Sequence, residues 1–187
     1  IEMDTVYNDG TNGPFMQTFK FIDYGFLFAT FSTTKTQEDM INGFETLYNI
    51  LGDQLFKRYI ILTKTDRGSE FICANKFETA PDGSKRCLVY YCDPMASHQK
   101  GSLENNHEEL RFFFPKEKNL YDLGLTSQQN LNIVLSHINS YTKEKLKGKS
   151  AFEYLKFFAP ALYQKFIDFG IKEIPHDEVT LNNSVLK

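Results

Sequence analysis

The order of hydrophobic patterns predicts an α/β domain: a five-stranded mixed sheet flanked by helices, with a helical extension at the C-terminal end. Three observations carry that prediction. Three strand-like runs separated by dense turn signals fill the first 31 residues. A stretch of clear helical spacing follows over 36–51. Between 59 and 114, strand-like runs then alternate with helical ones.

The elements follow in order. Ile1 to Tyr7 is a strand with Glu2, Asp4 and Val6 on one face and Met3, Thr5 and Tyr7 on the other. Asn8-Asp-Gly-Thr-Asn-Gly-Pro14 turns the chain. Phe15 to Ile22 and Phe26 to Phe31, joined by Asp23-Tyr24-Gly25, complete a three-stranded meander. Thr36 and Asp39 form a capping-box-like start for a helix carrying Met40, Ile41, Phe44, Leu47, Tyr48 and Leu51 inward, with Gly52 as its stop. Tyr59–Thr63 is expected as a buried strand, and a right-handed crossover places it parallel to an earlier one. Beside the first strand, it makes Asp4 and Asp66 neighbours. Glu70 to Phe77 reads as a short helix. Cys87-Leu-Val-Tyr-Tyr-Cys92 reads as a last, fully buried strand. Pro94–Gly101 reads as a mobile loop, followed by a helix with Leu103, Glu104, Leu110 and Phe114 that Pro115 ends. That order is the order of a ribonuclease-H-like fold, assigned to residues 1–118.

Residues 119–187 are expected to form a helical extension and tail packed on that core. A helix from Thr126 turns Leu131, Val134, Leu135 and Ile138 inward. Two more helices, Phe152–Phe158 and Ala161–Phe169, are separated by Pro160. The tail from Val179 is expected to be extended, packed or frayed.

With 187 residues the chain is long enough for one sizeable core, and its 18 Phe and 10 Tyr make that core aromatic. A net charge of −3 speaks against a stand-alone duplex binder, because such binding rests on neutralised phosphates. It leaves room for a catalytic module whose DNA-gripping part lies elsewhere. Three cysteines without a C-x-x-C pair suggest a reducing compartment, and no apolar run reaches membrane length. A cytoplasmic location follows from these. The opening at Ile1-Glu-Met-Asp4 is read as a cut just upstream of the first strand.

The chemistry centres on acids. Asp66 ends an apolar, β-branched run, and an acid at the carboxyl end of such a strand sits where α/β sheets hold ligands. Taken alone it reads as a turn aspartate. Asp4 on an earlier strand and Glu104 on a later helix change that reading. Three carboxylates on two strands and a helix suit a pair of divalent ions about 4 Å apart, the arrangement that cuts phosphodiesters. Magnesium takes such oxygen ligands and keeps several waters. Against this, Asp4 stands near a chain end, and Glu104 belongs to a charged run in which Glu108 is equally placed by spacing.

His98, His107, His137 and His176 lack metal-ligand spacing. A thiol nucleophile at Cys92, six residues before His98, competes with a plain apolar strand residue. Lys143, Lys145, Lys147 and Lys149 form a basic run that is either a solvated face or a phosphate contact.

Several segments together carry a family resemblance. Glu2-Met-Asp4-Thr-Val, Leu62-Thr-Lys-Thr-Asp66-Arg-Gly-Ser-Glu-Phe71, Tyr91-Cys-Asp-Pro94 and Gln99-Lys-Gly-Ser-Leu-Glu104-Asn-Asn-His107 resemble successive motifs of bacterial insertion-sequence transposases of the IS-thirty group. Pro115-Lys116, His137-Ile-Asn-Ser-Tyr141 and Phe169-Gly-Ile-Lys-Glu-Ile-Pro-His-Asp-Glu-Val179 continue the match along nearly the whole chain. The resemblance implies an integrase-type core with a catalytic, metal-binding triad of Asp4, Asp66 and Glu104, preferred over Glu108 because an asparagine follows it. It implies two Mg²⁺ or Mn²⁺ ions and cleavage at transposon DNA ends. A freed 3′-hydroxyl then attacks target DNA, within a homo-oligomer associated with the bacterial nucleoid. It also implies an N-terminal helix-turn-helix region that reads terminal repeats and is absent from these 187 residues. Candidate DNA contacts are Arg67, Lys100, Asn105, His107, Lys143, Lys145 and Lys147.

Two departures stand out. Arg67 occupies a position where the family commonly has asparagine, and either competes for the Asp66 carboxylate or contacts DNA. Lys149-Ser-Ala-Phe-Glu153 lacks a proline common in the family, which loosens a helix start. The alternative reading is a catalytically inactive core that binds DNA or a sister subunit. A third is a nuclease of the same fold acting on RNA–DNA hybrids.

Overall fold

The computed structural model describes residues 1–8, 13–93 and 108–187. Strands β1 (Glu2–Val6), β2 (Phe15–Phe21) and β3 (Phe26–Ser32) form the antiparallel meander. Helix α1 (Gln37–Tyr59) crosses over to β4 (Leu62–Thr65), which runs parallel to β1, and α2 (Ala74–Glu78) leads to β5 (Leu88–Tyr91), parallel to β4. The sheet order is β3-β2-β1-β4-β5. The mixed five-stranded sheet is the one expected. Helix α3 is described over 108–113 and stops before Pro115. Helix α4 (Gln128–Ser140) follows. Then come a two-stranded hairpin, β6 (Thr142–Lys143) and β7 (Lys149–Ser150), and helices α5 (Ala151–Phe158) and α6 (Pro160–Asp168).

The core is aromatic, as the composition implies. On one face of the sheet Phe19 packs on Phe28 and on Phe44 of α1, with centroids 5.7 and 6.1 Å apart. Phe166 of α6 stacks on Phe26 at 4.7 Å and on Phe28 at 5.3 Å. One continuous cluster runs from Met3 to Ile171, so the helices beyond 118 share the core of the sheet. Helix α1 reaches this face through Gly43, where a Cβ would lie 2.0 Å from Gln17 Oε1 and 2.5 Å from Thr30 Oγ1. Gln17 is itself buried, with its Nε2 3.1 Å from Met3 Sδ. Gly43→Ala is therefore expected to cost about 2 kcal/mol, a fall in Tm of roughly 4–8 °C, despite alanine's better helix propensity. An unchanged Tm in a thermal melt would contradict this contact.

Helix α4 lies along the outer edge of β3 and occupies its unpaired backbone. Asn139 accepts from Leu27 N–H at 2.8 Å and donates to Leu27 C=O at 2.8 Å. Gln128 accepts from Phe31 N–H at 2.8 Å and donates to Ala29 C=O at 3.0 Å. Two side-chain amides on one helix thus close an edge that would otherwise invite another strand. The inward residues expected for this helix, Leu131, Val134, Leu135 and Ile138, are all buried.

Four expectations need correction. Gly52, at φ 72°, breaks α1 but does not end it; the helix resumes because Phe56 packs on Tyr48 and Phe44, at 5.0 and 5.5 Å. Strand β4 consequently starts at Leu62 rather than Tyr59, and its apolar lead is only partly buried: Ile60 is in the core but Ile61 is 68% exposed, while Thr63 and Thr65 face inward. Strand β5 is a sheet edge, so Leu88 and Tyr90 are 45% and 46% exposed instead of fully buried. The 70–77 region splits into a 3₁₀ turn, Ser69–Phe71, and the short α2.

Of the extended, packed and frayed alternatives, the tail takes the packed one, through 3₁₀ turns at His176–Glu178 and Asn183–Leu186, with Leu181, Val185 and Leu186 against the core. His137 Nδ1 accepts the Thr180 N–H at 3.1 Å, and burial pushes this imidazole below its usual 6.5. A neutral ring is needed to accept there. The native state thus binds fewer protons than the unfolded chain below pH 6.5, and this stabilisation is lost as pH falls from there through the depressed folded value. Hydrogen exchange at the Thr180 amide is expected to quicken on acidification in the parent chain. Exchange that stays flat between pH 7 and 5, after correction for intrinsic rates, would contradict the docking bond.

Candidate active site

Glu2 of β1 is in register with Lys64 of the parallel β4. Asp4 stands two residues on from Glu2 within β1, and Asp66 directly follows β4, two residues on from Lys64. Because strand side chains alternate with period two, Asp4 falls on the face of β1 that carries Glu2. Each aspartate is held by a main-chain donor. Asp4 Oδ1 accepts the Thr5 N–H at 2.8 Å, and Asp66 Oδ1 accepts the Gly68 N–H at 2.9 Å. Asp66 therefore does shape its loop, as the turn reading held.

One strand period deeper, Lys64 pairs with Glu2 at 3.1 Å, and Glu2 is only 2% exposed. Lys20, Glu2's partner on β2, is buried and donates to Gly25 C=O at 2.6 Å. Burial first, then the Lys143 charge, push its ammonium well below the usual lysine range. Lys143 in turn pairs with Glu109 at 2.7 Å. A buried band of mixed charge thus lies beside the two aspartates.

Glu104, Lys100, Asn105, His107 and His98 lie outside the described residues, as does the Pro94–Gly101 loop. Among the described residues no group of three His, Cys, Asp or Glu side chains is placed to hold a metal. Arg67 is exposed at the rim, next to Asp66. Lys145 and Lys147 are exposed on the β6–β7 hairpin. That hairpin packs on the β2–β3 turn, where a Cβ on Gly25 would meet Leu146 at 3.0 Å. This is the end of the sheet away from Asp66, so these lysines are not brought to the rim. The Lys149-Ser-Ala-Phe-Glu153 helix start is held by a full capping box between Ser150 and Glu153. Cys92 is buried, and burial pushes the Cys87 thiol up to about 11.

The sequence reading missed Lys35 and Glu70. Glu70 is 7% exposed and pairs with Lys35 at 3.0 Å, just behind Asp66. Nothing in Gly68-Ser-Glu70-Phe signals a buried acid. The Glu2–Lys64 rung was legible in principle, since Glu2-x-Asp4 and Lys64-x-Asp66 repeat one charge spacing on two strands.

The donor set fits a divalent cation of the magnesium type: two hard carboxylates, one within β1 and one just past the adjacent β4, each pinned by its own backbone. The architecture is that of integrase catalytic cores, which have a ribonuclease-H-like fold. The HTLV-2 integrase catalytic core domain, solved in complex with magnesium in a trimeric form, superposes with a TM-score of 0.57 at 16% identity, covering 82% of this chain and 93% of that one. The catalytic core domain of BIV integrase does so with a TM-score of 0.58 at 16% identity, covering 83% and 93%.

In sequence, part of the chain is similar to transposases of IS30-type insertion elements. It is 33% identical over 91 residues to transposase InsI of insertion sequence element IS30A from Escherichia coli K12, covering 49% of this chain and 22% of that protein. It is 33% identical over 67 residues to the transposase of IS1086 from Cupriavidus metallidurans, covering 36% and 19%. The matched stretch thus spans about a fifth of the relatives' length. No protein-family model matches the chain. Among the described residues, no helix is long and apolar enough to cross a membrane.

Proposed function

We propose that this chain is the catalytic core of a DDE transposase. It would cleave phosphodiesters at transposon DNA ends and join a freed 3′-hydroxyl to target DNA. The observation that carries the reading is the parallel pairing of β1, which holds Asp4, with β4, which Asp66 directly follows. Partial homology to transposases and the integrase-core fold support it. Asp4, Asp66 and Glu104 are the residues that would hold two Mg²⁺ or Mn²⁺ ions. When bound, such ions supply an activated water or hydroxyl nucleophile and a stabilised leaving oxygen.

The chain's own contribution is preorganisation. Thr5 N–H and Gly68 N–H hold the two Oδ1 atoms in place before substrate arrives. The Glu2–Lys64 pair sets a positive charge beside two acids that would otherwise repel each other. Arg67, exposed at the rim, is placed to meet a DNA phosphate. On this reading residues 1–118 carry the chemistry and 119–187 brace the sheet. The protein works on DNA as a homo-oligomer in the bacterial cytoplasm, at the nucleoid.

The test is nicking of supercoiled DNA bearing insertion-element ends, with Mn²⁺, by the parent chain and by Glu104→Gln. Nicking by the parent and none by the variant is expected. Unimpaired nicking by the variant would sink the triad. An inactive parent would favour a core retained only for binding.

A further inference from the structure

The loop that carries Asp66 is fastened at its far end by a contact that the reaction itself does not require. Glu70 is buried, and its Oε1 pairs with Lys35 Nζ at 3.0 Å. Lys35 comes from the β3–α1 connection, and its ammonium also sits 4.4 Å from the centroid of the Tyr7 ring, one residue past β1. One lysine therefore ties the segment after β1, which carries Asp4, to the segment after β4, which carries Asp66.

Between Asp66 and Glu70 the chain is tightly packed. A Cβ on Gly68 would lie 2.7 Å from Glu70 Oε2 and 3.0 Å from Asp66 Oδ1, so both carboxylates close on the same glycine. Gly68 C=O accepts the Phe71 N–H at 2.9 Å, and Phe71 C=O accepts the Tyr91 hydroxyl at 2.5 Å. A shift of Glu70 has no slack to absorb it before Gly68 and Asp66 move.

We propose that Lys35 and Glu70 are positioning residues: their ion pair clamps the 66–71 loop to the end of β1 and so fixes the Asp66 carboxylate relative to Asp4 for a shared divalent cation. This rests on the cation-binding reading given above. Residues that orient metal ligands from behind change metal affinity by about 10–100-fold when replaced.

The test is Mn²⁺ titration of the whole chain followed by electron paramagnetic resonance, which needs neither DNA nor turnover. Glu70→Gln and Lys35→Met are each expected to weaken Mn²⁺ binding by about tenfold. The double variant is expected to be no weaker than either single one, because both remove one clamp. Asp66→Asn should lose the high-affinity signal. Asn139→Ala, which loosens the opposite edge of the sheet, is expected to lower Tm while leaving Mn²⁺ affinity unchanged. Parent-like affinity in both clamp variants, with Asp66→Asn still deficient, would overturn the clamp and leave the cation site standing. A loss in Asn139→Ala equal to that of Glu70→Gln would overturn it too, since affinity would then merely follow stability. No Mn²⁺ binding by the parent chain would overturn the cation reading, and the clamp with it.

Discussion

Asp66→Asn is expected to lower Mn²⁺-dependent nicking by at least about 10³-fold while leaving the fold intact. The amide oxygen of asparagine can still accept the Gly68 N–H, so the turn after β4 keeps its 2.9 Å bond. What changes is the other terminal atom: a carboxylate oxygen becomes an NH₂ donor, which cannot ligate a cation. Metal-derived stabilisation of a phosphoryl-transfer transition state is worth several kcal/mol, and each 1.36 kcal/mol is tenfold in rate, so about 4 kcal/mol gives the stated loss. Asp4→Asn is expected to behave alike, since its Oδ1 is likewise occupied by a backbone N–H. Comparing initial nicking rates with thermal melts separates the two effects. A variant with ordinary activity would remove Asp66 from the chemistry, and one that unfolds would make it a structural turn residue.

Arg86→Met is expected to be the most destabilising single change, at about 3 kcal/mol, or roughly 6–12 °C in Tm. The Arg86 side chain is fully buried and pairs with Glu45 at 2.7 Å. It donates from Nε to Phe77 C=O and from Nη2 to Lys76 C=O, each at 2.8 Å, which ties the lead into β5 to the end of α2. Its guanidinium also lies 4.9, 5.0 and 5.7 Å from the ring centroids of Phe44, Tyr48 and Phe56. Methionine keeps part of the stem but strands Glu45 and two carbonyls, and loses three cation–π contacts. A Tm within about 2 °C of the parent in a melting experiment would show that these contacts are worth little in sum.

Arg86 also marks where pattern reading stops. An arginine beside a turn, in Pro81-Asp-Gly-Ser-Lys-Arg86, has every sequence sign of a solvated residue; only the ring cluster built by α1 makes a place for it. The same cluster explains the misplaced strand. Phe56 wins a seat against Tyr48 and Phe44, so the chain stays helical past Gly52, and the apolar Ile60-Ile61 pair is spent on the connection to β4. Local β-branched character is a weak vote when tertiary packing offers more.

By contrast, the parallel pairing of β1 and β4 was legible because its signal is topological. A right-handed crossover through α1 suffices to land β4 beside β1. Helix α4 was legible from its spacing, yet Gln128 and Asn139 closing the β3 edge were not: amides on a helix read as solvent-facing until the partner strand is in place. Glu70 stayed hidden for a similar reason, since its partner Lys35 is far away in sequence and belongs to a connection with no pattern of its own.

The central claim is that β1 and β4 present one cation seat between them. A crystal of the chain grown or soaked with Mn²⁺, with anomalous data collected, tests it most directly. A peak in contact with both the Asp4 and Asp66 carboxylates is the predicted result; saturating Mn²⁺ with no peak there, or with peaks only on other surfaces, would contradict it.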